Sequence, residues 1–187
     1  MVIEEKLRQV LSSHRKKRIV DKELTRSAVL VPIYHKKGEL HVLFIRRSES
    51  VAYHKGQISF PGGTYDESDP SLLDTALRES WEEIGLKPED VEIIGELDDT
   101  TTTSGFIISP LVGFVPYPYA FKKNHGEVAK IISIRLAALM DKARFRQEYQ
   151  VIDGESILVY IYQYRGHIVW GATARIVKQL VELLTMD

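Results

Sequence analysis

Seven carboxylates lie in one short stretch of the chain, residues 62 to 86, around a single arginine, Arg78. The stretch reads GGTYDESDPSLLDTALRESWEEIGL. Neighbouring acids on a helix repel one another, so a chain selected only for stability would dilute them. A bound divalent cation would offset this repulsion, and side chains that offer only oxygen ligands favour Mg²⁺ or Mn²⁺ over zinc. The stretch therefore predicts a metal site, with an ordinary solvated helix face as the alternative.

The spacing of three of these acids places them on one side of a helix. At about 100° per residue, Glu79, Glu82 and Glu83 share a narrow arc beside the apolar face. We expect their carboxylates to converge near one point, with Arg78 bracing Glu82 from one turn earlier. The FPGG turn before the helix has a permissive backbone, so we expect the carbonyl oxygen of Gly63 to join the metal ligands.

These residues resemble the signature of the Nudix hydrolases. That family's pattern is a glycine, an acid six residues later, and then Arg-Glu-aliphatic-x-Glu-Glu-x-Gly-aliphatic. The matching positions here are Gly63, Asp69, Arg78-Glu79, Glu82-Glu83 and Gly85-Leu86. Asp69 replaces a glutamate, the gap from it to Arg78 is one residue longer than usual, and Ser80 replaces an aliphatic residue. The resemblance implies that the three glutamates bind Mg²⁺ or Mn²⁺ and that Arg78 orients Glu82.

The flanking sequence is similar to the coenzyme A pyrophosphatase subgroup of that family. The segment RRSESVAYHKGQISFPGG, residues 46 to 63, matches its Arg-Ser, Gly and Phe-Pro-Gly-Gly positions. TTSGFIISPLVGFV and HIVWGATAR resemble its later blocks, so the likeness extends from about residue 27 to 184. Ala52 stands where the subgroup usually has arginine. The resemblance implies hydrolysis of coenzyme A, or its derivatives, to 3′,5′-ADP and 4′-phosphopantetheine.

Further candidate residues lie outside the acidic helix. Glu127 matches a recurrent Glu-Val of the subgroup and is a candidate general base, with Glu82 as the other and an exposed loop acid as the ordinary interpretation of Glu127. Four basic side chains between a predicted strand and the FPGG turn are candidates for binding substrate phosphates, with surface solvation as the alternative. They are Arg46, Arg47, His54 and Lys55.

Composition limits the partners. A formal net charge of −1 over 187 residues gives no electrostatic footprint for nucleic acid and no attraction to an anionic membrane. The chain has no cysteine, which excludes thiolate nucleophiles and cysteine-based zinc sites and suits a reducing compartment. The N-terminus lacks the apolar core of a signal peptide, and no later segment is typical of a membrane span. We expect a soluble, cytoplasmic monomer or homodimer that acts on a small nucleoside diphosphate.

The elements that must position these residues follow from the apolar periodicity. An N-terminal helix and linker (1–26) precede a single predicted domain (27–187) that opens with a strand pair, SAVLVPIY and LHVLFIRR. The acidic helix is predicted from Pro70, as its first residue, to Gly85. Single helices alternate with several strands, which indicates an α/β (α+β) protein. The Nudix resemblance makes it an α/β/α sandwich with a mixed β-sheet.

Three functions remain open at this point. The first is a coenzyme A diphosphatase. The second is a Nudix hydrolase of another nucleoside diphosphate derivative, such as a dinucleotide, ADP-ribose or a nucleotide sugar, and Ala52 favours it. The third is a non-catalytic Nudix-like binding module, which is disfavoured because the chain keeps every glutamate of the signature.

Overall fold

The computed structural model describes residues 2–51, 54–152 and 154–185. The helices within these ranges are α1 (Ile3–Ser13), α2 (Leu72–Ile84), α3 (Leu136–Met140) and α4 (Gly171–Thr185), with short 3₁₀ turns at Pro88–Asp90 and Lys142–Arg144. The strands are β1 (Thr25–Lys36), β2 (Glu39–Arg47), β3 (Ile58–Ser59), β4 (Gly62–Thr64), β5 (Glu92–Glu96), β6 (Thr100–Thr101), β7 (Phe106–Phe114), β8 (Val128–Arg135), β9 (Phe145–Ile152), β10 (Glu155–Tyr164) and β11 (His167–Trp170).

The larger sheet is mixed and contains strands β1 to β8. Its main path runs β3-β2-β1-β7-β5, with β4 on β1, β6 on β7 and β8 on β2. The pair β1–β7 is parallel, whereas β1–β2 and the other pairs in this sheet are antiparallel. The predicted strand pair at 27–47 is confirmed as the β1–β2 hairpin.

Alternating side chains of the central strands build a core on each face of this sheet. On one face, Val31, Ile33 and Phe44 pack with residues of α1, α3 and α4. On the other, Leu30 and Ile45 pack against the apolar side of α2. Helices therefore cover both faces of a mixed sheet, and the predicted α/β/α sandwich is confirmed.

The acidic helix α2 has a clear start and a clear end. Its N-cap is Ser71, whose hydroxyl accepts a hydrogen bond from the backbone N–H of Asp74. Pro70 therefore precedes the N-cap, and the prediction that it is the first helical residue was wrong. The hydroxyl of Ser71 accepts a hydrogen bond from a free N–H at the start of the helix, whereas a proline side chain has no acceptor to offer. Gly85 ends the helix in the left-handed conformation, at φ 66°, as the sequence predicted.

A second, three-stranded sheet has the order β11-β10-β9. Of these three strands, only β10 was predicted from the sequence. The other two show little alternation of apolar and polar residues, and apolar side chains of β9 such as Tyr149 and Val151 are exposed. In α1, Leu7 and Leu11 are buried in the main core, so this helix packs onto the predicted domain. No helix among the described residues is both long and apolar enough to span a membrane.

Candidate active site

Arg78 is fixed at the start of the site by a carboxylate nine residues earlier. Its Nε donates to Oδ1 of Asp69 at 2.9 Å, and its Nη2 donates to Oδ2 at 3.0 Å. Asp69 is only 6% exposed, and it also accepts a hydrogen bond from the hydroxyl of Thr75. The hydrogen bonds from Arg78 hold the pKa of Asp69 well below its usual range. This two-pronged pair sets the orientation of the guanidinium.

The remaining edge of Arg78 faces the glutamates of α2. Its Nη1 donates to Oε1 of Glu79 at 2.8 Å and to Oε2 of Glu82 at 3.2 Å. The predicted contact between Arg78 and Glu82 is therefore present. Glu79 is tied to the same donor, which the helical wheel did not suggest because adjacent residues point in different directions.

Glu83 is a buried carboxyl, 2% exposed. Its Oε2 accepts a hydrogen bond from the backbone N–H of Gly62 at 3.0 Å. Its Oε1 lies 3.7 Å from Nη1 of Arg47. Burial raises the pKa of Glu83 to about 8, and the negative charges of Glu79 and Glu127 act in the same direction. Its buried surroundings therefore favour the protonated form of this carboxyl.

Gly63 lies directly against the carboxyl of Glu79. A Cβ atom at Gly63 would approach the Cδ of Glu79 to 2.5 Å, so the absence of a side chain allows this close contact. Desolvation by burial raises the pKa of Glu79, although its hydrogen bond with Arg78 opposes the shift. The β4 turn and α2 thus enclose a second carboxyl of elevated pKa.

The three glutamates are held by different partners. Glu79 and Glu82 share Arg78, whereas Glu79 and Glu83 border the Gly62–Gly63 turn. Within residues 2–51, 54–152 and 154–185, no three acidic or histidine side chains form a ready-made metal-ligand cluster. Arg78 and the backbone N–H of Gly62 each compensate part of the negative charge of these carboxyl groups.

Glu127 reaches this site through a loop that packs on the end of α2. The N–H of Asn124 donates to the carbonyl oxygen of Glu83 at 2.9 Å, and Glu127 N–H donates to the carbonyl oxygen of Asn124 at 3.0 Å. The side chain of Glu127 is exposed, yet its charge raises the pKa of both Glu79 and Glu83. The loop therefore brings a fourth carboxylate within electrostatic range of α2.

A cavity of about 360 Å³ opens beside the Gly62–Gly63 turn. Of the four basic candidates, Arg47 and His54 line it, whereas Arg46 and Lys55 are not among its lining residues. Arg46 instead places Nη2 3.4 Å from Nδ1 of His167. Lys55 is exposed.

Ala52 lies outside the described residues, so the structure does not address its departure from the subgroup pattern.

The far wall of the cavity comes from residues that were not predicted to belong to the site. They belong to β6 and the loop after it, to β10, and to the junction of β11 with α4, and they include Thr101, Ser104, Tyr160, Trp170 and Arg175. Asp69 was matched to the signature, but its role as the anchor of Arg78 was not predicted. The resemblance of HIVWGATAR to a block of the subgroup was the available signal for this wall.

Comparison with known proteins agrees with this geometry. The profile of the NUDIX domain matches residues 24–152. The chain is similar to the Nudix hydrolase NudL of Photorhabdus laumondii, with 35% identity over 156 residues, covering 83% of each chain. It is also similar to NudL of Yersinia pestis, at 35% identity over 161 residues, covering 86% of this chain and 80% of that one.

Solved structures show the same fold. The MutT/nudix family protein of Enterococcus faecalis superimposes with a TM-score of 0.57 at 14% identity, covering 96% of this chain and 73% of that chain. The profile match and the relatives together identify the family. This chain belongs to the Nudix hydrolase family of enzymes, which act on phosphoric anhydride bonds.

Proposed function

We propose that this protein is a metal-dependent diphosphatase that hydrolyses coenzyme A or its derivatives to 3′,5′-ADP and 4′-phosphopantetheine. One observation carries the proposal. The Arg78-braced acidic helix, with the buried Glu83, adjoins a substrate-sized cavity across the Gly62–Gly63 turn. The acidic helix lies beside a cavity lined by Arg47 and His54. This combination suits a diphosphate substrate that binds together with a cation.

The residues present fit Mg²⁺ or Mn²⁺. Glu79, Glu82 and Glu83 offer only carboxylate oxygens, and the backbone of Gly63 lies against the carboxyl of Glu79. Burial raises the pKa values of Glu79 and Glu83, and a bound cation would favour their charged forms. When bound, such an ion supplies positive charge to the diphosphate and acidifies a water molecule.

The chain's own residues prepare this chemistry. Asp69 holds Arg78, and Arg78 in turn holds Glu79 and Glu82 in defined positions. The backbone N–H of Gly62 holds Glu83. Arg47 lines the cavity and stands 3.7 Å from Glu83. Its guanidinium is placed to receive a phosphate oxygen of the substrate.

Two carboxylates are candidates for removing the proton of the attacking water. Glu82 is half-exposed, at 49% of its side chain, and is held by one hydrogen bond to Arg78. Glu127 is exposed on the loop that packs on α2. Both can reach water without a large rearrangement, so a comparison of the pH–rate profiles of Glu82→Gln and Glu127→Gln assigns the base.

Coenzyme A is the proposed substrate because residues 46 to 63 resemble the corresponding signature of the coenzyme A pyrophosphatase subgroup. Ala52 favours a second candidate, a dinucleotide, ADP-ribose or a nucleotide sugar, since arginine is usual at that position. Purified protein should be incubated with Mg²⁺ or Mn²⁺ and coenzyme A, ADP-ribose, NADH and diadenosine tetraphosphate. The highest kcat/KM on coenzyme A supports the first candidate, and a clear preference for another substrate replaces it.

A further inference from the structure

The far end of the cavity contains an arginine that the proposed hydrolysis does not use. Arg175, on α4, lines the cavity. Its Nη1 donates to Oγ1 of Thr100 at 3.2 Å and to the carbonyl oxygen of Thr101 at 3.0 Å. Among the residues that the structure describes, its guanidinium forms no salt bridge, and its Nε and Nη2 donate no hydrogen bond. A guanidinium has five donors, so most of its capacity and all of its charge remain available to a ligand.

The register of the sheet sets the separation between the strand residue next to the Gly62–Gly63 turn and the strand residue that contacts Arg175. Thr64 pairs with Ser27, Ser27 with Ile108, and Ile108 with Thr100, in one row across four neighbouring strands. Three strand spacings of about 4.8 Å separate the two ends of the row by roughly 14 Å. Thr64 follows Gly63, which lies against the carboxyl of Glu79, whereas Thr100 accepts a hydrogen bond from Arg175. The cavity is thus bordered by the turn beside the acidic helix at one side and by Arg175 at the other.

The middle of the cavity is largely apolar. Val29, Ile108, Val159, Tyr160 and Trp170 contribute to it. Such a wall suits a base or an alkyl chain. Apolar packing does not account for an arginine at its edge whose charge is not paired. The first turn of α4, which also lines the cavity, adds positive electrostatic potential beside Arg175.

We propose that Arg175 binds a second anionic group of the substrate, a phosphate monoester remote from the diphosphate that is cleaved. This inference rests on the proposed diphosphatase function and makes Arg175 a specificity-determining residue. The free edge of the guanidinium, Nε and Nη2, matches two phosphate oxygens. The enzyme would then prefer nucleoside diphosphates that carry a ribose phosphate over the same molecules without it.

Two matched substrate pairs test this preference. Coenzyme A and 3′-dephospho-coenzyme A differ only in a 3′-phosphate, and NADPH and NADH differ only in a 2′-phosphate. Arg175→Gln should raise KM for the phosphorylated member of the preferred pair by roughly 10- to 100-fold, the range of a hydrogen bond to a charged group, with KM for its partner changed less than about twofold. The pair that responds identifies which ribose phosphate is bound.

The control is Lys178→Gln on the next turn of α4. Lys178 pairs with Glu182 and does not line this cavity, so its loss should leave both pairs unchanged. Arg175→Lys keeps the positive charge but loses the paired donors of the guanidinium. It should therefore retain part of the preference for the phosphorylated substrate. If a circular-dichroism melt shows that Arg175→Gln does not fold, Arg175→Lys is used in its place. Equal increases in KM for both members of each pair would overturn the inference.

Binding gives a readout that does not depend on turnover. By calorimetry, the unsubstituted protein should bind adenosine 3′,5′-bisphosphate or its 2′,5′ isomer more tightly than AMP by about 10-fold or more. Arg175→Gln should abolish that difference. Equal affinity of the unsubstituted protein for all three nucleotides contradicts the inference. If the difference is present but no diphosphate is hydrolysed, the proposed function fails and the assignment of Arg175 stands.

Discussion

Asp69 and Arg78 form a two-pronged ion pair at the entrance to the acidic helix, with N–O distances of 2.9 and 3.0 Å. The pair spans the loop before α2 and its second turn, so it ties the β4 turn region to the helix. Asp69 occupies the position where the Nudix pattern has a glutamate, and its side chain is almost fully buried. The pair fixes Arg78, whose guanidinium contacts both Glu79 and Glu82.

Removing the charge of Asp69 should therefore affect both stability and turnover. We expect Asp69→Asn to lower the free energy of unfolding by about 1–3 kcal/mol, because Arg78 loses a charged partner in a largely buried place. We also expect kcat to fall at least about 10-fold, because Arg78 no longer holds Glu79 and Glu82 in position. Urea unfolding and steady-state kinetics measure the two effects.

Asp74→Asn is the matched control. Asp74 is partly exposed and lies in the first turn of the same helix, where it interacts with the capping Ser71. Its substitution should change unfolding by less than about 1 kcal/mol and leave kcat unaltered. If Asp69→Asn behaved like Asp74→Asn, Arg78 would not depend on Asp69 for its position.

The raised pKa of Glu83 predicts a pH dependence of stability in metal-free buffer. The raised pKa of about 8 keeps this proton on the folded protein, whereas the unfolded chain releases it near the ordinary glutamate pKa of 4.5. Stability should thus be greatest below pH 4.5 for this group and fall as the pH rises through 8. Glu83→Gln should remove that slope and raise the free energy of unfolding at pH 8 by about 1–3 kcal/mol.

Chemical unfolding at several pH values in chelator measures this slope. Glu82→Gln is the comparison, because Glu82 is half-exposed and bonded to Arg78. It should leave the slope between pH 4.5 and 8 in place. A slope that persists unchanged in Glu83→Gln would show that burial of this carboxyl is not its source.

Divalent cations should stabilise the protein through the same carboxyl groups. Addition of Mg²⁺ or Mn²⁺ should raise Tm, because an ion that binds only the folded state shifts the unfolding equilibrium. At 100 times the dissociation constant the gain is about 2.7 kcal/mol. Glu83→Gln should lose most of this gain, measured by differential scanning fluorimetry. An equal gain in both proteins would place the ion elsewhere.

Gly63 should be required for activity more than for folding. Its Cβ would meet the carboxyl carbon of Glu79 at 2.5 Å. Gly63→Ala should displace that carboxyl and lower kcat by about 10-fold or more, while stability changes by less than about 1 kcal/mol. Gly126→Ala is a suitable control, since its Cβ would meet only Oδ1 of Asn124, at 3.3 Å. Normal turnover in Gly63→Ala would show that the Gly62–Gly63 turn is not part of the active site.

The acidic helix was predictable because its residues are local in sequence. Helical spacing placed Glu79, Glu82 and Glu83 on one face, and Gly85 predicted the end of α2. The contact of Gly62 with Glu83 links residues 21 positions apart, and no helical wheel contains it. The strand pairing β1–β7, which joins the two ends of the cavity, spans an even longer part of the chain.

The cavity wall was harder to predict for the same reason. Tyr160, Trp170 and Arg175 come from three elements that meet only after the second sheet folds against α4. Their apolar or mixed pattern fits ordinary core packing equally well. Only the register across β4, β1, β7 and β6 shows that Arg175 faces the same cavity as Gly63.

The central claim is that the carboxyl groups on α2 hold a metal ion for diphosphate hydrolysis. Its most direct measurement is kcat for coenzyme A, with Mn²⁺ or Mg²⁺, in the unsubstituted protein, Glu82→Gln and Glu83→Gln, with the products identified as 3′,5′-ADP and 4′-phosphopantetheine. We expect turnover that stops in excess chelator and falls at least about 100-fold in Glu83→Gln, with circular dichroism spectra unchanged. Full turnover of Glu83→Gln, or of the unsubstituted protein in excess chelator, would contradict the claim.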